Sequence, residues 1–277
     1  MLGIPIVQVE PTNHCNRDCD ICMRRSQSRA LGFMDLEGFK AFVDLNKPSY
    51  IGFHGWGEPL LHRGIVSMVA YASSRGSVTS LITNGTLLSE ELAEELFKSG
   101  LRELVFGVYR FKMLEEVSSK IALAVGLKER LRVKRPKIVV DVTVYEDNRS
   151  EVLDLVREAA NLGVEAINMH RIFNLHDPRH RALSPLEEQE LFDEVKRLSR
   201  SLKFEVVLPK RHEFPCRIAR YSVFVTWDFK VTPCCFLYNE VLAEGPHVKL
   251  KELAKSRAYK EFLSRGGLNP TCSRCII

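Results

Sequence analysis

The stretch EPTNHCNRDCDIC, residues 10–22, holds three cysteines separated by three and then two intervening residues. Three thiolates can ligate three irons of a four-iron cluster, which leaves the fourth iron with an open position for a small chelating ligand. A structural zinc site is the alternative, because the pairs Cys19–Cys22 and Cys272–Cys275 could supply four thiolates. That alternative gives Cys15 no role.

The eight cysteines fall into two groups with a long cysteine-free stretch between them. The first group is the loop just described, and the second comprises Cys216, Cys234, Cys235, Cys272 and Cys275. In a chain kept in the cytoplasm, clustered cysteines at short spacings are typical of metal sites rather than disulfides. Both groups therefore indicate thiolate sites for a metal or a cluster.

The composition excludes several classes of protein. The 277 residues can form one large domain and one small one. Hydrophobic residues at 45% and charged residues at 27% are ordinary values for a soluble chain, and no apolar run approaches the roughly 20 residues of a membrane helix. The beginning of the chain lacks a secretory signal pattern, so we expect a cytoplasmic protein without membrane contact. A net charge of +5 is too modest to indicate nucleic-acid binding.

Between the two cysteine groups, short β-rich runs alternate with longer stretches of helical period. The predicted strands are Ile4–Glu10, Tyr50–His54, Val78–Thr83, Leu104–Tyr109, Ile138–Tyr145 and Val164–His170. The predicted helices are Asp35–Asn46, Gly64–Arg75, Ser89–Lys98, Phe111–Leu131, Ser150–Leu162 and Pro185–Leu202. Successive β–α units imply a parallel sheet with helices outside it, and eight units would be needed to close a full barrel.

The sequence therefore predicts an α/β fold, a partial (β/α)6 TIM-like barrel with a small C-terminal α+β cysteine-rich domain. The prolines that bracket Pro209–Pro215 mark the expected boundary, which gives domains at residues 1–208 and 209–277. A hairpin is predicted within Tyr221–Cys235, and a helix near Leu250–Leu263.

Polar residues follow the second and third predicted strands. Ligands bind at the carboxyl ends of the strands in parallel β/α folds, so chemistry is expected there. Gly55 and Gly57 would let backbone carbonyls approach a ligand closely, and the carboxylate of Glu58 can accept from an ammonium group. A tight strand-to-helix turn would explain the same glycines. Thr83 and Asn84 form a second polar turn.

Together, the Cys-x3-Cys-x2-Cys loop and the Gly-x-Gly-Glu-Pro turn resemble the signature of the radical S-adenosylmethionine (radical SAM) superfamily. The resemblance implies that Cys15, Cys19 and Cys22 ligate a catalytic 4Fe-4S cluster whose open iron binds S-adenosylmethionine. It also implies cofactor-binding roles for Gly55, Gly57, Glu58, Thr83, Asn84 and Ile21, of which the first three hold the methionyl amino group. One-electron reduction of the sulfonium, with a reductant such as ferredoxin or flavodoxin, would then give a 5′-deoxyadenosyl radical that abstracts hydrogen from a substrate.

The chain departs from the family pattern in two places. Ile21 stands where an aromatic residue often covers the adenine, and residues 106–110 read FGVYR rather than a serine–acid–glycine pattern. On the fifth strand, Asp141 and Thr143 share one face by the period of two. One of them could contact the ribose, or the pair could face solvent.

The second cysteine group resembles the short auxiliary-cluster domains called SPASM or twitch. The resemblance assigns Cys216, Cys234, Cys272 and Cys275 to its four ligand positions, and four thiolates would complete the shell of a second 4Fe-4S cluster. A structural zinc ion would suit the same four thiolates. Cys235 is left over, as a small buried residue, an alternative ligand, or a substrate or redox contact.

The substrate is less clearly indicated. A basic segment after the sixth predicted strand would suit a carboxylate or phosphate, with a solvated basic loop as the alternative; it comprises Arg171, His176, Arg179, His180 and Arg181. The resemblance implies peptide or protein maturation or cofactor biosynthesis, with the auxiliary cluster as electron acceptor, or a small-molecule dehydrogenase. A non-catalytic, zinc-stabilised scaffold is the alternative from another class. Because the first strand begins near Met1, we expect no built-in leader-binding domain, although a separate partner could supply one.

Overall fold

The computed structural model describes residues 4–173, 177–210, 216–265 and 268–276. Its strands are β1 (Ile6–Val9), β2 (Tyr50–Phe53), β3 (Val78–Thr83), β4 (Glu103–Val108), β5 (Lys137–Val144), β6 (Ala166–Arg171), β7 (Glu205–Val207), β8 (Ser222–Val225), β9 (Lys230–Thr232) and β10 (Ala243–Glu244). Its α-helices are α1 (Leu36–Asn46), α2 (Ile65–Ser74), α3 (Glu90–Lys98), α4 (Phe111–Arg130), α5 (Val152–Asn161), α6 (Pro185–Leu202), α7 (Arg217–Tyr221), α8 (Leu250–Leu253) and α9 (Arg257–Arg265).

The chain forms two compact units. The first unit comprises Met1–Leu81, Lys98–Leu101 and His212–Cys275. The second comprises Ile82–Phe97, Arg102–Arg211 and Ile276–Ile277. Both cysteine groups belong to the first unit.

In the first unit, β1 lies between β2 and β8 and is parallel to both. Strand β3 continues the parallel order beyond β2, whereas β9 and β10 add antiparallel strands beyond β8. The C-terminal hairpin therefore belongs to the same sheet as the first strand of the chain. The sequence pattern predicted the hairpin but not its pairing with β1.

One face of this sheet forms the apolar core of the first unit. Val7, Val9, Ile51 and Phe53 are at most 1% exposed, and Phe39 of α1 packs on Phe53 with ring centroids 5.7 Å apart. Because side chains alternate along a strand, the even-numbered residues of β1 point to the other face. That second face carries the polar residues considered below.

In the second unit, β4, β5, β6 and β7 form consecutive parallel pairs. One face has a small apolar cluster of Val105, Val139 and Ala166. A capping box begins α6, since the side chains of Ser184 and Glu187 each accept from the other's backbone N–H. Such reciprocal bonds satisfy donors that the first turn of a helix leaves open.

All six predicted strands and the six predicted helices are present, with ends shifted by a few residues. Strand β7 was not predicted, and the helix expected near Leu250–Leu263 is divided into α8 and α9. Residues 211–215, at the expected domain boundary, lie outside the described residues, and the division at 208 stays a prediction. Within the described ranges, no helix is both long and apolar enough to cross a membrane.

Candidate functional site

The N-terminal cysteine loop, residues 15–22, begins a few residues after β1 and is tightly turned. The backbone N–H of Cys22 donates to the carbonyl of Cys19 at 3.1 Å, and that of Arg17 donates to the sulfur of Cys15 at 3.4 Å. Burial raises the pKa of Cys15 and raises that of Cys22 to about 11, and the neighbouring Cys19 thiolate adds to both shifts. The three predicted ligands therefore lie close enough to interact electrostatically.

A buried ion pair closes the chain around this loop. Glu10 is fully buried, and the guanidinium of Arg29 donates to both of its carboxylate oxygens at 2.8 Å. Asn13 adds a second closure, because its amide donates to the carbonyl of Ala30 at 2.8 Å. Such bidentate pairs combine charge with fixed geometry. Sequence reasoning missed Arg29, since no periodic pattern connects it with Glu10.

The glycine loop, Gly55–Glu58, follows β2 and packs on the backbone of the stretch before the cysteines. A Cβ atom at Gly57 would overlap the carbonyl oxygen of Thr12 and lie 2.6 Å from that of His14. The backbone N–H of Glu58 donates to the His14 carbonyl at 2.7 Å. The glycine at position 57 is therefore required by the close approach of the protein's own backbone, where the sequence suggested the approach of a ligand.

Glu58 is 2% exposed. One of its carboxylate oxygens accepts from the backbone N–H of Leu60 at 3.0 Å, which caps a 3₁₀ helix at Pro59–Leu61. Its charge reaches Cys15, whose pKa it helps to raise. The carboxylate thus lies close to the cysteine loop. An acceptor for an ammonium group bound near a cluster would need this position.

Three predicted cofactor residues remain: Thr83, Asn84 and Ile21. The first two stabilise a turn through side-chain hydrogen bonds. Thr83 accepts from the backbone N–H of Gly85 at 3.0 Å, and Asn84 accepts from that of Thr86 at 3.0 Å; both belong to the second unit. Ile21 lies within the cysteine loop and is partly exposed. Their contacts with a cofactor stay predictions.

The C-terminal cysteine group, Cys216, Cys234, Cys272 and Cys275, comes from three separate segments. Cys216 precedes α7, Cys234 follows β9, and a 3₁₀ helix begins at Cys272. Burial raises the pKa of Cys234 well above its ordinary value, and that of Cys272 to about 11. Cys272 interacts electrostatically with Cys216, Cys234 and Cys275, and the role of the four as ligands of one cluster stays a prediction.

These interactions separate the cysteines into two sets. The charges that act on Cys22 come from Cys15, Cys19 and Arg24, and those that act on Cys272 come from Cys216, Cys275 and Glu240. The zinc site from the pairs Cys19–Cys22 and Cys272–Cys275 stays the alternative prediction. Among the described residues, no group of three or more His, Cys, Asp or Glu is arranged to hold a single metal ion.

Cys235, next to Cys234 in the chain, has a side-chain hydrogen bond with Gln8 of β1. Burial raises its pKa to about 12, although a hydrogen bond with the side chain of Gln8 opposes the rise. Gln8 also contacts His54 Nδ1 at 3.1 Å through its amide nitrogen. The leftover cysteine is therefore part of a partly buried polar face on the first sheet.

The described residues of the basic segment at 171–181 pair with local acids. Arg171 is only 9% exposed: it binds both oxygens of Glu188 at 2.5 and 2.8 Å, and donates to the carbonyls of Lys210 and Ile276. Arg179, His180 and Arg181 pair with Asp177, Asp147 and Glu146. His176 lies outside the described residues. Arg171 thus connects Glu188 with the backbone at Lys210 and Ile276, and a substrate role for the segment stays a prediction.

Asp141 and His170, on the sheet of the second unit, form a pair that the sequence did not predict. Asp141 Oδ1 lies 2.8 Å from His170 Nε2, across adjacent parallel strands. Burial acts to lower the pKa of His170, but the hydrogen bond and charge of Asp141 prevail and raise it. Asp141 thus has a protein partner, which the pattern of a single strand could not reveal.

The fold and the two cysteine groups define an iron–sulfur protein of the parallel α/β class. Residues 9–177 match the sequence profile of the radical SAM superfamily, and residues 216–276 match that of SPASM, an iron–sulfur cluster-binding domain. The chain belongs to the radical SAM superfamily. The predicted family and fold class are confirmed, and binding of iron–sulfur clusters and S-adenosylmethionine is implied by both domains.

Two sequence relatives and one solved structure illustrate the likeness. A tungsten-containing aldehyde ferredoxin oxidoreductase cofactor-modifying protein of Pyrococcus furiosus is 26% identical over 97% of this chain and 86% of its own length. The subtilosin biosynthesis protein AlbA of Bacillus subtilis is 24% identical over 83% of this chain and 55% of its own. The structure of Streptococcus suis SuiB bound to its precursor peptide SuiA aligns with a TM-score of 0.76 at 14% identity, over 94% of this chain and 66% of SuiB. That last likeness shows a shared fold.

Proposed function

We propose that this protein is a radical SAM oxidoreductase or maturase with two 4Fe-4S clusters, the first held by Cys15, Cys19 and Cys22. The observation that carries the proposal is that these thiols lie on one loop, just after the stretch Thr12–His14 on which the glycine loop packs. The raised pKa values of Cys15 and Cys22 disfavour bare thiolates at these two positions. A positively charged metal centre is what stabilises such thiolates, so the donor set fits a cluster with one open iron.

Within this proposal the chain's residues bind and orient the cofactor. Gly55, Gly57 and Glu58 hold the methionyl amino group beside the open iron, and Thr83, Asn84 and Ile21 line the rest of its pocket. When bound, the cluster and S-adenosylmethionine supply a 5′-deoxyadenosyl radical that removes hydrogen from the substrate. The buried carboxylate of Glu58, near Cys15, supports the first of these assignments.

The C-terminal cysteine group holds the second cluster in this proposal, within a domain at residues 209–277 that follows the barrel at 1–208. Four thiolates complete the shell of a four-iron cluster, so no iron is left open for substrate. Such a cluster suits outer-sphere electron transfer, and we assign it as acceptor of the electron that remains after hydrogen abstraction. A ferredoxin or flavodoxin would reduce the first cluster in the cytoplasm.

For the substrate, we favour a peptide or protein to be matured. The names of AlbA and of the SuiB complex, which refer to bacteriocin biosynthesis and to a precursor peptide, support this class. The Pyrococcus relative favours a second candidate, modification of a small-molecule cofactor. A short peptide gene beside the coding sequence would favour the first, and a biosynthetic cluster the second.

Anaerobic reconstitution tests the proposal. About 8 irons per chain are expected, the content of two four-iron clusters. With dithionite and S-adenosylmethionine, the brown protein should release 5′-deoxyadenosine slowly even without substrate. A colourless protein with stoichiometric zinc and almost no iron would instead identify a zinc-stabilised scaffold.

A further inference from the structure

Trp56, in the middle of the glycine loop, contacts the C-terminal turn, which we define as residues 234–238. Its indole N–H donates to the carbonyl of Cys235 at 3.0 Å. Its ring meets that of Phe236 edge-on, with centroids 5.5 Å apart. The side chain of Trp56 is therefore held by the segment that carries Cys234.

The backbone of Trp56 is connected to the same turn by a second route. Its N–H donates to Glu10 Oε1 at 3.2 Å, and Glu10 is held at both oxygens by Arg29. The guanidinium of Arg29 in turn lies over the ring of Tyr238, 5.2 Å from its centroid. The two routes form a closed circuit of contacts that starts and ends at Trp56.

The circuit has little freedom to adjust. The Glu10 side chain is fully buried and that of Arg29 is 13% exposed, so moving either would strand a charge away from water. A Cβ atom at Gly55 would lie 2.7 Å from Cγ of Glu10, which shows how closely the loop packs on that carboxylate. A displacement of the C-terminal turn must therefore also displace the glycine loop.

We propose that Trp56 is a positioning residue that couples loading of the C-terminal cysteine group to binding of S-adenosylmethionine at the glycine loop. The inference rests on the proposed function. Metal bound to Cys234 fixes the turn, and the turn fixes the indole of Trp56 and, through Tyr238 and Arg29, its backbone. Because coupling between two binding events is reciprocal, each site favours the loaded state of the other.

The first experiment removes single contacts while every cysteine stays in place. Trp56→Phe removes the indole donor, and Tyr238→Leu removes the ring above Arg29. Both should raise the dissociation constant of S-adenosylmethionine roughly two- to tenfold, the range for loss of one such contact. Equilibrium dialysis on the anaerobically reconstituted protein measures it, and the electron paramagnetic resonance spectrum of the reduced, cofactor-bound cluster should shift.

Two variants serve as controls. Tyr238→Phe keeps the ring and should retain the parent affinity. Tyr221→Leu removes a comparable ring that Arg220 overlies at 5.6 Å, outside the circuit, and should also leave the affinity and the spectrum unchanged. Iron content must match the parent in all four variants. Parent-level affinity in both Trp56→Phe and Tyr238→Leu would overturn the inference.

The second experiment measures the coupling itself. Cys272→Ala, which unloads the second site, should weaken binding of S-adenosylmethionine in the parent but add little in a Trp56→Phe background. Equal losses in the two backgrounds would show that Trp56 carries no coupling. Failure of the proposed function is distinguishable, because the parent itself would then bind neither iron nor S-adenosylmethionine.

Discussion

The N-terminal cysteine loop and the C-terminal cysteine group differ in how the chain assembles them. The loop draws its three thiols from one continuous stretch, whereas the group draws four from segments around Cys216, Cys234 and Cys272–Cys275. The chain around the loop is closed by the buried pair of Glu10 and Arg29, and the glycine loop packs on the residues just before it. The shape of the cysteine loop is therefore set by the protein alone.

The C-terminal cysteine group is supported by short helices and single hydrogen bonds. Helices α7 and α8 have five and four residues, too few to be stable without tertiary contacts. Tyr259 secures α7 by donating to the carbonyl of Ala219 at 2.7 Å, and Asn46 accepts from the backbone N–H of Leu250 at 2.7 Å. A bound metal would contribute a larger share of the stability here than at the loop.

The largest effect is expected from replacing Cys15, Cys19 and Cys22 together by alanine. Iron should fall to about half, because one of two four-iron clusters is lost, and 5′-deoxyadenosine formation should cease. Circular dichroism should stay close to the parent's, since the Glu10–Arg29 pair still closes the loop. Iron at the parent level would remove the loop from the ligand set.

Cys272→Ala should also remove about half of the iron, but with a different outcome. At saturating S-adenosylmethionine, 5′-deoxyadenosine formation should stay largely intact while oxidised product is suppressed, because only the later electron transfer is damaged. The C-terminal segment should become more sensitive to protease, as its metal supports its fold. A well-folded variant with the parent rate of turnover would make the second cluster structural.

Arg29→Ala tests the claim that the protein alone shapes the loop. Removing one partner of a buried pair leaves an uncompensated charge, so the free energy of unfolding should fall by about 3–5 kcal/mol. Anaerobic urea unfolding measures it. Arg157→Ala is the matched control, because its pair with Asp154 is more than half exposed and should contribute at most about 1 kcal/mol. Similar losses in both variants would contradict the distinction.

Glu58→Ala should weaken binding of S-adenosylmethionine by about 1.5–3 kcal/mol, the cost of losing a hydrogen bond to a charged group. The loss also removes the acceptor for Leu60 N–H, so Glu58→Gln, which keeps a cap acceptor without the charge, separates the two effects. Unchanged affinity in Glu58→Ala would move the amino-group contact to another residue.

The smallest effect concerns the support of the C-terminal group. Tyr259→Phe should lower stability by about 0.5–1.5 kcal/mol through loss of its hydrogen bond to α7. Burial raises the pKa of Tyr259 to about 12, so its stabilising contribution is complete below the ordinary pKa near 10 and is lost as the pH rises from about 10 through about 12. Parallel pH profiles of parent and Tyr259→Phe would show that this hydroxyl is not responsible.

The sequence predicts best those features that depend on local pattern. Strand and helix positions followed from periodicity. The seven assigned cysteines followed from spacing and resemblance, and their role as ligands stays a prediction. Contacts between distant, unpatterned residues were not predictable. Glu10 with Arg29 and Arg171 with Glu188 are buried charges that read as ordinary polar positions in the sequence.

The pairing of β1 with both β2 and β8 has a consequence for synthesis on the ribosome. Strand β2 is complete once residue 53 has been translated, whereas β8 ends at residue 225. At roughly 5–20 residues per second, one edge of β1 stays open for a time on the order of 10–30 s. An open strand edge is a template for pairing with another chain, so the nascent protein depends on protection during this interval.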